Sequence, residues 1–309
     1  MASTFTLPLH NLPTLTAYVA NCLIGGIEVT HRPDGSWIRD VVRFKCGKWK
    51  FCFRQRTDVA HGKTEDLHGT FCETTTVEVD DVQSNHSEDV LATLDAICWL
   101  LSFATESQVL CYGHHFPTCK TTGHIKSVSG IANPFRPPFN LAYPVKIKNF
   151  VEQAYPVYFR LSKKRKLPVV FHYLLQATRP SQPTEIRLLL LFITLENLKD
   201  TYARTAGISY IKGYYRKPPS KPGKPGAQFS FEDLLSEMLL SVGMRRGLKQ
   251  IVTLRNEIIH SGLSRKSHAM QLSIYERIQD ILREYILRLL GYHGEFFLYA
   301  SQGCATRKV

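Results

Sequence analysis

Four prolines within the twelve residues 133–144 (NPFRPPFNLAYP) divide this chain into two parts with different hydrophobic periods. Proline fixes its own φ, donates no backbone hydrogen bond and biases the residue before it toward extended backbone. Neither a helix nor a central strand runs through such a stretch, so it reads as an extended connector. Before it, short runs of β-branched and aromatic residues are cut by turn residues: Ile27–His31, Trp37–Lys45, Trp49–Arg54, Thr70–Val79, Gln108–Tyr112 and His124–Val128. The pair flanking Cys46-Gly47-Lys48 predicts a hairpin. One helix interrupts them, from Glu88 to Thr105, with Asn85 or Ser87 available as cap and Glu88 and Asp89 in its first turn.

After the connector the pattern turns helical, over Val145–Leu161, Pro168–Ala177, Thr184–Thr205, Phe231–Val242, Leu248–Ser261 and His268–Leu290. Two loops separate these helices. Ser162–Lys166 (SKKRK) is a basic turn, and Arg216–Ala227 (RKPPSKPGKPGA) is a basic Pro/Gly segment with no regular structure expected. No internal repeat is visible. The expected fold class is α+β: a strand-rich domain over residues 1–142, then an all-α bundle over 143–309.

Charge follows the same division. Residues 1–150 hold 14 Lys+Arg and 14 Asp+Glu, whereas residues 151–309 hold 25 and 12, so the helical half carries the whole net charge of +13. A basic half beside a neutral one points to a polyanionic partner, with a well-solvated surface as the plain alternative. The longest strongly apolar run, Leu188–Ile193, is too short to span a bilayer. Residues 1–12 lack the basic and apolar regions of a signal peptide, so the expected location is the cytoplasm, with the eight cysteines reduced.

The sharpest chemical candidate is the segment Thr253–Gly262 (TLRNEIIHSG). On a helix, Leu248, Ile251, Val252, Ile258 and Ile259 fall within about 60° of Arg255, which places a guanidinium in the apolar stripe. Burying an unpaired charge is costly, so Arg255 needs a carboxylate partner, a groove or a subunit seam. Glu196, set in the apolar run LLLLFITLENL, is the natural partner. His260 falls in the last turn, before Gly262 at the expected C′ position, and an imidazole titrates near neutral pH. Five residues rotate by about 140° on a helix, so Arg255 and His260 converge only at a helix end or across a two-fold axis. Arg-x4-His recurs at Arg56/His61 and Arg288/His293, but only Arg255/His260 lies inside a helix of the basic half with Asn256 directly after the arginine.

Arg255-Asn256-Glu257-Ile258-Ile259-His260, together with the helix carrying Glu196, resembles the HEPN superfamily over roughly residues 180–290. A strand-rich region followed by such a bundle is similar in architecture to the ApeA-type abortive-infection proteins of bacterial phage defence. The resemblance implies a metal-independent endoribonuclease without cofactor. In it His260 would act as general acid/base at the RNA 2′-hydroxyl or the leaving 5′-oxygen, and Arg255 would hold the scissile phosphate. Asn256 would assist and Glu196 would orient, with the site forming where two bundles dimerise and the strand-rich domain acting as sensor or regulator. Toxins of this superfamily paired with nucleotidyltransferases often carry a tyrosine two residues after the histidine, where this chain has Gly262. The alternative is a non-catalytic module that dimerises and holds nucleic acid or a partner.

Three further groups have residue types that suit binding or packing. Lys163, Lys164, Arg165 and Lys166, with Arg216 and Lys217, could contact RNA phosphates, and Tyr210, Tyr214 and Tyr215 could stack bases. Cys111, His114 and Cys119 are zinc-ligand types, but their spacing is not that of a standard zinc module, and a strand edge with thiols is the preferred reading. Trp37, Trp49 and Trp99 are expected in the core.

Overall fold

Seven antiparallel strands form the first half: β1 (Leu15–Ala20), β2 (Glu28–His31), β3 (Trp37–Cys46), β4 (Trp49–Gln55), β5 (Glu73–Val79), β6 (Leu110–Phe116) and β7 (Cys119–Thr122), in spatial order β2-β3-β4-β5-β1-β6-β7. The computed structural model describes residues 14–61, 64–116, 119–122, 132, 135–219, 224–300 and 305–309. The β3–β4 hairpin turns at Gly47, whose φ of +61° is the left-handed conformation that only glycine adopts without strain. The expected strand at His124–Val128 lies outside the described residues.

The interior strand β1, between β5 and β6, has no counterpart in the sequence reading. Its register shifts at Val19/Ala20 against β5 and at Tyr18/Val19 against β6, so Val19 and Ala20 are both buried. A bulge of this kind breaks the period-two alternation by which a strand is recognised. Asn21 follows with φ of +61°; its amide donates to the Gln108 carbonyl at 2.9 Å and its side-chain oxygen accepts from Cys72 N at 2.9 Å.

Between β4 and β5 lies a short helix, α1 (Thr57–His61), and between β5 and β6 a long one, α2 (Ser87–Thr105). The α2 N-cap position is His86, which makes no side-chain cap. The bundle helices are α3 (Pro144–Leu161), α4 (Leu167–Ala177), α5 (Thr184–Thr205), α6 (Phe231–Leu240), α7 (Lys249–Ser261) and α8 (His268–Leu289). Two-residue strands β8 (Tyr210–Ile211) and β9 (Tyr214–Tyr215) interrupt them, and β10 (Glu295–Leu298) with β11 (Ala305–Lys308) closes the described chain. The class is α+β.

The connector separates periods but not cores. One hydrophobic cluster includes Phe44, Phe51 and Phe53 of the sheet, Leu94, Ile97 and Leu101 of α2, Phe150 of α3, Leu195 of α5 and Leu282 of α8. Each such side chain contributes roughly 1.5–3 kcal/mol on burial. Polar bonds cross the same boundary: Lys45 N donates to Glu152 Oε1 at 2.7 Å, and Thr93 Oγ1 and Tyr155 Oη share a hydrogen bond of 3.2 Å. Deepest of all, Glu106 at the left-handed end of α2 accepts from Nε and Nη2 of Arg283 on α8, and both residues are buried. Among the described residues no helix is long and apolar enough to cross a membrane.

Trp37 departs from expectation. It is 62% exposed at the start of β3, whereas Trp49 and Trp99 pack against the core.

Candidate functional site

Helix α7 turns Ile251, Leu254 and Ile258 into the bundle. The centre of its buried face is therefore one residue away from Arg255, which flanks that face with its side chain 20% exposed. Val252 is half-buried and Ile259 is 41% exposed, so the stripe is narrower than the pattern predicted.

Three elements position the guanidinium. From α5, Glu196 Oε1 accepts from Nη2 at 2.5 Å. From α7 itself, Asn256 Oδ1 accepts from Nη1 at 2.9 Å. From α6, the Phe231 ring lies 4.6 Å below the guanidinium carbon, a cation–π contact. Phe231 is placed by the α6 N-cap, where Ser230 Oγ accepts from Asp233 N at 3.0 Å. Glu196 also pairs with Lys199 at 2.6 Å, and that ammonium sits 4.8 Å over the same ring. One carboxylate thus serves two cations. Arg255 Nε is buried and has no hydrogen-bond partner among the described residues.

His260 is exposed and forms no hydrogen bond or ion pair with the described residues. Gly262 ends the helix at φ of +72°, with its N–H donating to Ile258 O at 2.9 Å. Ile259, Leu263 and Met270, near this helix end in sequence, are exposed by 41%, 70% and 45%. The other two Arg-x4-His arginines are engaged elsewhere: Arg56 with Asp58 and Glu73, Arg288 with Glu284.

The basic turn divides. Lys163, Lys164 and Lys166 are exposed, but Arg165 is only 4% exposed and unavailable to a phosphate. Its guanidinium donates to Tyr285 Oη at 2.7 Å, Leu198 O at 3.2 Å and Thr201 Oγ1 at 3.2 Å. Lys166 adopts φ of +49° at the start of α4, and that tight reversal carries Arg165 inward.

The Pro/Gly segment is pinned at both ends. Arg216 N donates to Ser209 O, and Lys217 N to Ala227 O at 2.8 Å. Lys217 Nζ meets Asp233 Oδ2 at 2.9 Å, and this hydrogen bond holds the Asp233 carboxyl below its usual range. Arg216 lies 5.9 Å from the Tyr214 ring centre. Tyr210 and Tyr214 are 60% and 50% exposed, whereas Tyr215 donates to Asp200 Oδ1 at 2.5 Å. Burial would raise the Asp200 pKa, but Tyr215, Arg204 and the charge of Lys166 hold it low. The basic ribbon and Arg255 therefore flank one structure, the start of α6.

Cys111 and His114 lie on β6; the side chain of Cys119 is outside the described residues. Among the described residues no group of three His, Cys, Asp or Glu side chains is arranged to hold a metal ion. Burial pushes the Cys22 and Cys46 thiols up to about 12, which keeps them protonated and unreactive.

No family model, no curated protein and no solved structure matches this chain.

Proposed function

We propose that this protein is a metal-independent endoribonuclease of HEPN type, acting as a homodimer in antiviral abortive infection, with Arg255 and His260 at its centre. One observation carries the reading: an imidazole without a partner among the described residues stands at the end of the helix on which Glu196, Asn256 and Phe231 fix a half-buried arginine. An unengaged, solvent-facing histidine is free to move protons, and a preorganised guanidinium suits the charge that develops on a phosphoryl group.

In this reading His260 takes the proton of the RNA 2′-hydroxyl. The 2′-oxygen bonds to phosphorus, the bond from phosphorus to the 5′-oxygen breaks, and an imidazolium returns a proton to that oxygen. The products are a 2′,3′-cyclic phosphate and a 5′-hydroxyl. The angle of about 140° between the two side chains is met by a second copy, whose α7 end supplies the complementary group. The exposed Ile259, Leu263 and Met270 favour such pairing.

Purified protein is expected to cut RNA in EDTA and leave cyclic phosphate ends. Arg255→Ala should slow cutting by about 10²–10³-fold and His260→Ala by about 10²–10⁴-fold. Cutting by His260→Ala at the wild-type rate would sink the assignment. The Arg255–Glu196 ion pair equally suits a non-catalytic dimerising module. That reading predicts salt-dependent RNA binding without turnover.

A further inference from the structure

A second cluster of arginines lies outside the site just described. Arg246 before α7, Arg277 on α8 and Arg307 on β11 line a cleft of about 250 Å³, together with Asp280, Glu284 and Ile281 of α8. Glu284 has a side chain only 3% exposed and takes three guanidinium groups: Arg246 through Nη2, Arg307 through Nη1 at 2.8 Å and Arg288 through Nε at 3.1 Å. Burial pushes its carboxyl pKa up, but hydrogen bonds from Arg246 and Arg307 outweigh this and hold it below the usual range. It is ionised, and one negative charge faces three positive ones.

The other carboxylate does not redress the balance. Asp280 accepts from Tyr299 N at 3.0 Å and Ala300 N at 2.8 Å, and it faces the buried Arg283. Among the described residues Arg277 meets neutral oxygens, Gly247 O at 2.6 Å and Gln250 Oε1 at 3.2 Å. The cleft thus concentrates positive charge that the described residues leave uncompensated. Arg246, Arg288 and Arg307 are 29%, 28% and 42% exposed, so water and solutes reach them. Each guanidinium has five N–H donors, and Glu284 engages one nitrogen of each.

We infer that this cleft binds an oligophosphate chain. Guanidinium forks match phosphate oxygens in pairs, and several of them around one concavity favour an anion with more than one charged group over a single carboxylate. On α7, Gln250 and Arg255 lie about 140° apart, so the cleft and the Arg255 face are separate. The inference does not rest on the nuclease reading.

The test is calorimetric titration of the full-length protein at fixed salt with inorganic tripolyphosphate, ATP and a 5′-hydroxyl RNA oligonucleotide. Tripolyphosphate should bind, and Arg277→Gln and Arg307→Gln should each weaken it by about tenfold, the loss of one charge-assisted contact. Equal binding of ATP assigns the site to a phosphate chain on a carrier, and tripolyphosphate alone assigns it to free polyphosphate. Glu284→Gln, which removes the internal competitor for the arginines, should tighten binding. Should that variant fail to fold, Arg277→Gln and Arg307→Gln, neither of them buried, decide the matter. Arg255→Ala and His260→Ala should bind as wild type does. Binding of the RNA alone, or unchanged affinity in both arginine variants, overturns the inference.

Discussion

Glu106 meets Arg283 where the end of α2 abuts α8, and Glu196 meets Arg255 where α5 faces α7. The first pair has side chains 8% and 3% exposed; the second has 34% and 20%. In the first, Glu106 Oε2 is buried without a partner among the described residues, and Arg283 also donates to Arg136 O and Gln279 Oε1. In the second, the carboxylate is shared with Lys199 beside solvent. Depth sets what each pair can do. Sealed charges must stay together because separation strands one of them, so the first pair fastens the strand-rich half to the bundle. Charges near water exchange partners at little cost, so the second pair can yield its arginine to an incoming anion.

The largest effect expected from this contrast is at the junction. Glu106→Ala should destabilise the protein by about 3–5 kcal/mol in denaturant unfolding, because it leaves Arg283 buried without the two hydrogen bonds that this carboxyl accepts. Equal losses from Glu106→Ala and Glu196→Ala would abolish the distinction.

The junction should also respond to pH. Burial raises the Glu106 pKa to about 7, with Arg283 opposing. The folded value lies above the ordinary carboxyl value of about 4.3, so the folded protein binds the proton more tightly than the unfolded chain does. This contribution to stability is present below about pH 4 and is lost as the pH rises through about 7. Glu106→Gln carries the shape of the neutral acid and does not titrate, so wild type should lose stability relative to it as the pH rises across that window. A wild type that gains on Glu106→Gln instead would show that the arginine, not burial, governs the carboxyl.

A smaller effect is expected at the second pair. Glu196→Gln should cost about 1 kcal/mol or less, as for partly exposed pairs. Under the proposed function it should also slow RNA cleavage by up to about a hundredfold through misplacing Arg255, with partial recovery in Glu196→Asp. Slower cleavage with no recovery in Glu196→Asp would argue against a positioning role.

Much of this contrast was legible in the sequence on one side only. The pairing of Glu196 with Arg255 followed from two charges set in apolar runs at helical spacing, and α5 spans the expected Thr184–Thr205. The Gly47 hairpin and Gly262 helix end were equally local signals. The junction was not legible. Glu106 and Arg283 are 177 positions apart; Glu106 stands alone as a charge in an apolar stretch, but Arg283 lies among the other charges of its helix, so nothing in the sequence links the two. Strand β1 was hidden by its bulges, and the inward turn of Arg165 by a left-handed residue no composition reveals. The Arg277–Arg307 cleft joins two segments through the C-terminal hairpin, which carries no turn signature among the described residues. Short-range periodicity reports which face of an element is buried. It does not report which faces meet.

The smallest expected change in stability is at His260. The side chain is exposed and bonds to nothing described, so His260→Ala should shift unfolding free energy by no more than about 0.5 kcal/mol. A role in proton transfer would nonetheless make the same substitution the most damaging to cleavage. This separation of effects is the cleanest contrast with Glu106, whose loss should reduce folded protein while leaving the activity per folded molecule intact. Measuring both quantities on both variants distinguishes a residue that holds the molecule together from one that acts on something outside it. If His260→Ala unfolds early and Glu106→Ala loses specific activity, the roles assigned to the two regions are reversed.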